Sequence, residues 1–233
     1  MRKERAIIFA NGIIRSSIQI SSMIQSDDWI IAADGGYRHI KKLGLEPSMI
    51  IGDMDSIPVV RLKGLIARGV SIQKYPANKN ETDLELALME SVRLGFQKIL
   101  VIAALGGRLD QTMGNIFLLS MHSLENVDIR FEDGVEEVFL IRKSETITGN
   151  PGDPVSLLPL GGKVEGITTD GLRYPLCNEL LLPDKTRGIS NEMMHHTARI
   201  LVGQGTLLCI HRRISHQGKL PRVYRNNDGG RKL

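Results

Sequence analysis

The 233-residue chain has only two cysteines, Cys177 and Cys209. Two thiols cannot build the disulfide framework of a small secreted scaffold, and a reducing cytoplasm is the compartment expected. Long apolar runs are also missing. None approaches the roughly 20 residues that cross a bilayer, and the apolar stretch behind the basic start, Ala6–Ala10, is shorter than the ~7–15 residues of a secretory core. A membrane or exported protein is thereby disfavoured. The chain lacks a Gly-x-Gly-x-x-Gly after its first strand-like run and a Gly-x-x-x-x-Gly-Lys-Ser/Thr anywhere, so an ordinary dinucleotide fold and a P-loop lose support. It lacks a His-Glu-x-x-His, which leaves Glu192, His195 and His196 as a surface loop. The single tryptophan, Trp29, opens an apolar run and reads as packing, and both cysteines lie in or near β-like runs and read as small core residues.

Excess charge is absent from most of the chain. The formal net charge is +4, and residues 215–233 carry all of it, with Lys219, Arg222, Arg225, Arg231 and Lys232 against Asp228. A solvated terminus is the simpler reading of that tail, and nucleic acid is an unlikely partner.

Over residues 1–144 apolar runs alternate with amphipathic stretches. RAIIFA, DWIIAA, SMIIGD, VSIQKY, KILVIAAL and VDIRF mostly lack alternation, as strands buried on both faces of a parallel sheet do. YRHIKKLG, PVVRLKGLIARG, ETDLELALMESVRLG and LDQTMGNIFLLSMHSL read as helices, with Gly44, Gly69 and Gly95 as left-handed stops. The texture changes after Arg142, where ETIT, PVSLLPL, KVEGITT, ARILVG and TLLCIHRR alternate with turn clusters. The expectation is an α/β fold: a three-layer parallel-sheet, Rossmann-like domain over 1–144, a small all-β sandwich or barrel over 145–214, and a basic tail over 215–233.

In an open parallel sheet, ligands collect beyond the carboxyl ends of the strands. The polar residues after the apolar runs are Asp34-Gly35-Gly36, Asp53-Met54-Asp55-Ser56, Lys79 to Asp83, and Gly106-Gly107-Arg108-Leu109-Asp110. Crowded carboxylates repel one another unless a cation sits among them, and hard oxygen ligands select Mg²⁺ together with substrate phosphates. Lys79 and Arg108 supply charge for phosphoryl oxygens, and paired glycines before helix starts let backbone approach a phosphate. Singly, each residue has a plainer use. Thr82-x-x-Glu85 is a capping box, Asp110 can cap a helix, and Asp53 and Ser56 form turns. Jointly they point to Mg-nucleotide chemistry and phosphoryl transfer.

The motifs resemble those of thiamine pyrophosphokinases. Ala33-Asp34-Gly35-Gly36 and Gly52-Asp53-Met54-Asp55-Ser56 are similar to the family's first two signatures. Lys79-Asn80-Glu81-Thr82-Asp83-Leu84-Glu85 and Gly106-Gly107-Arg108-Leu109-Asp110-Gln111 with Asn115 are similar to the next two. Gly171-Leu172-Arg173-Tyr174-Pro175-Leu176 and Gly188-Ile189-Ser190-Asn191-Glu192 resemble motifs of its β-domain. Asn80, Gln111 and Met54 depart from the usual Asp, His and Phe.

The resemblance implies an α/β domain followed by a β-sandwich, assembled as a homodimer with a shared cleft, and transfer of diphosphate from ATP to thiamine with release of AMP. It implies Mg²⁺ on Asp53, Asp55 and Asp83, and ATP near Asp34, Gly35, Gly36, Ser56, Lys79, Thr82 and Arg108. Asp110 is expected near the attacking hydroxyl or the metal, and Tyr174, Ser190 and Asn191 near thiamine. A diphosphokinase for another small alcohol, such as a hydroxymethyl pterin, and a catalytically silent nucleotide sensor are the alternatives.

Overall fold

A computed structural model of the chain describes residues 4–214. The basic tail expected over 215–233 lies outside the described residues. All six expected parallel strands form: β1 (Arg5–Phe9), β2 (Trp29–Ala33), β3 (Met49–Gly52), β4 (Ser71–Lys74), β5 (Lys98–Ile102) and β6 (Asp128–Glu132). They are ordered β4-β3-β2-β1-β5-β6, each pair parallel. β1, β2 and β3 are buried along almost their whole length, which is why their sequences do not alternate. The edge strand β4, half-exposed, reads SIQK.

Helices cover both faces. Ala6, Ile8 and Ile31 pack with Leu84, Ala87 and Leu88 of α4 (Asp83–Arg93), while α5 (Leu109–Leu118) lies against the same cluster through Ile116 and Leu118. Ile7, Phe9 and Ile30 pack on the other face with Ile20, Ile40 and Leu65. Those three come from α1 (Ser17–Met23), α2 (Tyr37–Lys42) and α3 (Val59–Ala67). Alternate residues of one strand thus serve opposite layers. Gly44, Gly69 and Gly95 adopt the positive φ expected of helix stops. Trp29 lies 6.4 Å from Phe96, ring centre to ring centre, against the α4 side of the core.

The second half departs from expectation. β7 (Glu136–Ile141) follows β6 through an Asp133-Gly134 turn and pairs with it antiparallel. β14 (Leu207–Arg212), β9 (Pro154–Pro159) and β12 (Asn191–Glu192) continue from there, making ten strands in one sheet. A separate four-stranded sheet, ordered β11-β10-β13-β8, is built from β8 (Ser144–Thr148), β10 (Val164–Asp170), β11 (Glu179–Leu181) and β13 (Thr197–Leu201). Phe139, Val155, Leu157 and Cys209 face this second sheet and share a core with Ile147, Ile167 and Ile200, while Val138 and Leu208 face the α4 side. The sandwich is therefore not free-standing. One of its two sheets is the far end of the large mixed sheet, because β7 and β14 carry apolar residues on both faces. The cysteines separate too: Cys209 is buried, and burial pushes its thiol far up, whereas Cys177 is exposed, contrary to its reading as core. Among the described residues no helix is long and apolar enough to cross a membrane.

Candidate active site

β1 is the point at which the chain order reverses, with β2 on one side and β5 on the other, so a crevice opens beyond the ends of β1 and β5. The two loops that leave these strands are zipped together by Ala10 N–H to Ile102 O at 2.8 Å, Gly12 N–H to Ala103 O at 2.7 Å and Ile13 N–H to Leu105 O at 2.9 Å. A cleft of about 530 Å³ lies over this seam. Asp34, Ala103 and Met54, which follow β2, β5 and β3, hold positive φ without being glycine. Such strain is kept where the surroundings enforce it and gathers at functional sites.

The cleft gathers Asp34, Lys79, Thr82, Asp83 and Arg108. Thr82 caps α4, its hydroxyl accepting from Glu85 N–H at 3.2 Å, so the plainer reading of this stretch holds together with the functional one. Asp83 opens the helix. One of its oxygens, Oδ1, is buried and without a hydrogen bond, and lies 2.8 Å from Lys79 Nζ as an ion pair. Gly52 ends β3 between two of the acids: a Cβ there would stand 2.9 Å from Asp34 Cβ and 3.3 Å from Asp83 Oδ1. Ser56 donates to Asp34 Oδ1 at 2.9 Å. Gly35 backs onto the Asn11 side chain, and Gly36 onto the Phe9 carbonyl, where a Cβ would be only 1.8 Å away.

Arg108 stands at the mouth, exposed, and forks onto the Asp110 carboxylate. That guanidinium holds Asp110 below the usual carboxylate range, and the Asp110 pair raises Arg108 in turn. Asn115 donates to Ala104 O at 2.7 Å and ties α5 to the loop after β5.

Not every expected ligand joins the cleft. Asp53 Oδ1 accepts from Asp55 N–H at 3.0 Å, so Asp53 closes its own turn, and neither residue lines the cleft. Among the described residues no three His, Cys, Asp or Glu side chains form a group able to hold a metal alone. The expected trio Asp53, Asp55 and Asp83 is thus not a preformed cage. A donor set of this kind still suits Mg²⁺, which is held through one or two carboxylates, waters and substrate phosphates, and Asp83 Oδ1, ion-paired with Lys79, and Asp34 both crowd Gly52.

The β-part motifs form a different cluster. Arg173 N–H donates to Glu192 O, Leu172 bridges Met193, and the Arg173 and Glu192 side chains pair at 2.9 Å. Asn191 is buried, and three hydrogen bonds hold its amide: Oδ1 accepts from the N–H groups of Tyr174 and Glu192, and Nδ2 donates to Tyr174 O. The Asn191 side chain thereby grips the Tyr174 backbone. Tyr174 and Ser190 stay exposed, Ser190 at φ +61°. His195 and His196 lie on the surface as read. No residue beyond Asn115 lines the cleft. β12 lies six strand positions from β1, on the order of 28 Å along the sheet.

Sequence reading passed over Asn11, Gly12, Ile13, Arg38 and His39. Arg38 donates to Asn11 O at 2.8 Å, and the His39 ring meets Gly12 O at 3.0 Å. Burial lowers the His39 pKa, and Arg38 and Lys42 lower it further, against the Gly12 contact. The signal was available, since Ala10-Asn11-Gly12 follows the first apolar run as the other site loops follow theirs.

Two family models match the chain: the thiamin pyrophosphokinase catalytic domain over residues 20–131 and the thiamin pyrophosphokinase vitamin B1 binding domain over residues 140–207. The chain belongs to the thiamin pyrophosphokinase family. Family relatives include the thiamine pyrophosphokinase of Bacillus subtilis (strain 168), 28% identical over 182 residues, which are 77% of this chain and 85% of that one. Thiamine pyrophosphokinase 1 of Oryza sativa subsp. japonica is 29% identical over 170 residues, 68% of this chain and 64% of that one. Among solved structures, a Bacillus subtilis thiamine pyrophosphokinase superposes with a TM-score of 0.80 at 24% identity, covering 91% of this chain and 100% of that one. The yeast thiamin pyrophosphokinase gives 0.69 at 19% identity, covering 91% and 87%. These likenesses show that the mixed sheet and the second sheet are the fold of the family.

Proposed function

We propose that the chain transfers diphosphate from ATP to the hydroxyl of thiamine, giving thiamine diphosphate and AMP. The observation that carries this reading is the meeting of Asp34, Lys79, Thr82, Asp83 and Arg108 in one cleft at the sheet's reversal point, in a chain of this family. The thiamine oxygen attacks the β-phosphorus, and the bond from that phosphorus to the α,β-bridging oxygen breaks, its electron pair leaving with AMP. A loose transition state needs in-line positioning and charge stabilisation more than a strong base. Lys79 and Arg108 meet the phosphoryl oxygens. Asp110, kept ionised by Arg108, orients the attacking hydroxyl, whose proton is released to solvent as the new bond to phosphorus forms. Asp83 and Asp34, with Asp53 and Asp55 behind them, are the carboxylates that would hold Mg²⁺ on the phosphates. Bound there, the ion would offset the charge of the transferring group.

The reading includes a homodimer in the cytoplasm. Tyr174 and Ser190 lie too far along the sheet to reach their own chain's cleft, so a second copy would bring them. The exposed stripe Leu109, Met113 and Phe117 on α5, beside Arg108, offers that copy an apolar seat. Asn191 fixes the Tyr174 loop.

The test is incubation of the purified protein with ATP, Mg²⁺ and thiamine. AMP and thiamine diphosphate are expected in equal amounts. ADP with thiamine monophosphate would overturn the chemistry, and turnover of a hydroxymethyl pterin in place of thiamine would overturn the acceptor. Nucleotide binding without turnover would mark a sensor.

A further inference from the structure

His211 of β14 takes no part in the chemistry above, yet it is wholly buried. Its Nδ1 lies 3.5 Å from Glu137 Oε2 on β7, and its Nε2 lies 3.5 Å from Oδ2 of Asp153, just before β9. Among the described residues neither nitrogen has a closer polar partner. The two acids are not equally provided for. Glu137 also pairs with Arg130 at 3.0 Å and with Arg213 at 3.3 Å. Asp153 is wholly buried too, and among the described residues its one ion pair is with His211. A buried carboxylate that loses its partner is costly, so the N–H on Nε2 matters most to Asp153.

Asp153 is a junction. Oδ2 accepts from Asn150 N–H and Oδ1 from Ile214 N–H, both at 2.8 Å. Its main-chain carbonyl accepts from Met193 N–H at 2.9 Å, and Gly152 N–H donates to Met193 O at 2.7 Å. These bonds carry the β9–β12 pairing one residue past Glu192 and Pro154. Gly149 closes the joint: a Cβ there would stand 2.7 Å from His211 Nε2 and 2.8 Å from both Asp153 Oδ2 and Met193 Sδ. The ring, the acid and the residue after β12 meet at one point, so none shifts alone.

We infer that His211 is a positioning residue for the acceptor: through Asp153 it sets the place of β12, and with it Ser190 and the Tyr174 loop. The inference rests on the reading above that thiamine binds beside Tyr174 and Ser190. β12 is two residues long and lies at the edge of the sheet, so its own ladder is a weak hold. Asn191, on that strand, passes its position to the Tyr174 backbone. The cleft of Asp83 and Arg108 lies beyond β1 and β5, so a change at His211 alters acceptor binding and spares nucleotide binding.

Two variants separate positioning from packing. In His211→Gln the amide nitrogen can stand where Nε2 stood and keep the donor to Asp153. In His211→Asn the shorter amide stands where Nδ1 stood and reaches only Glu137. Steady-state kinetics with ATP, Mg²⁺ and thiamine should give a thiamine KM at least fivefold higher in His211→Asn, and within twofold of wild type in His211→Gln. In both, kcat and the KM for ATP should stay within twofold, which also reports a folded chain. The same thiamine KM in the two variants, raised or not, overturns the inference. Amide hydrogen exchange on the wild-type chain tests it without any substitution. Saturating thiamine should slow exchange at least threefold at Ile214, whose N–H is tied to β12 through the Asp153 side chain. Unchanged exchange at Ile214 overturns the inference as well. Tyr174→Ala guards the underlying reading: a thiamine KM that this variant leaves unmoved would overturn the placement of thiamine instead.

Discussion

Asp83 serves two ends at once, as the first residue of α4 and as the acid beside Lys79. Asp83→Asn keeps the helix start and removes the charge. Diphosphate transfer is expected to fall at least a hundredfold while circular dichroism and melting temperature stay close to wild type. Gly36→Ala is the contrasting case. Its new methyl would collide with the Phe9 carbonyl, and backbone cannot yield as a side chain does, so a loss of about 1–3 kcal/mol or more is expected in urea titration. The polar residues after β2, β4 and β5 were legible as site residues because the parallel-strand rule points at them. The grip of Asn191 on the Tyr174 backbone was not legible, since a sequence does not tell which neighbouring backbone an amide holds. Asn11 was passed over although the same rule covered it.

At the scale of elements, legibility followed periodicity. α4 has a clear apolar face and was read correctly, with its buried Leu88 in the core of that layer. Leu88→Ala should cost about 2–5 kcal/mol, measured as a shift of the urea midpoint. α1 was not read, because SIQISSM is rich in serine and buries only Ile20. It forms because Ser16 caps it and Ile20 packs under β1 and β2. α5 was read as a helix, but its exposed stripe was not. In this helix no residue is fully buried, and Leu109, Met113 and Phe117 face outward. If these three seat a second copy, Phe117→Asp should halve the mass seen by light scattering and remove transfer activity, with the helix content unchanged. A dimer that persists in this variant would sink the proposed seat.

For the molecule as a whole, the boundary between the two halves is a seam of charge. Burial pushes the Glu137 carboxyl up, but His211, Arg130 and Arg213 outweigh it and bring it from 4.5 down to about 2. A lowered carboxylate stabilises the fold above its unfolded value and loses that contribution as pH falls through about 4.5 towards 2. On Glu132 burial prevails, and its carboxyl stays above its ordinary value despite Arg213. Glu137→Gln should flatten the fall of the urea midpoint between about pH 5 and pH 3. An equally steep fall would assign acid sensitivity to other groups. The strand order that creates this seam was not legible. Composition showed two textures, but nothing in a run of alternating residues says which sheet it will join.

The place of β14 has one more consequence. It is the last described strand in the chain, yet it lies between β7 and β9. During synthesis the six parallel strands can assemble early, but β9 and β12, which pair with each other, cannot join the rest of the sheet until residues 207–212 emerge. A ribosome stalled before that point therefore presents a nascent chain with seven of the sheet's ten strands able to dock and β9 and β12 waiting for the strand that joins them.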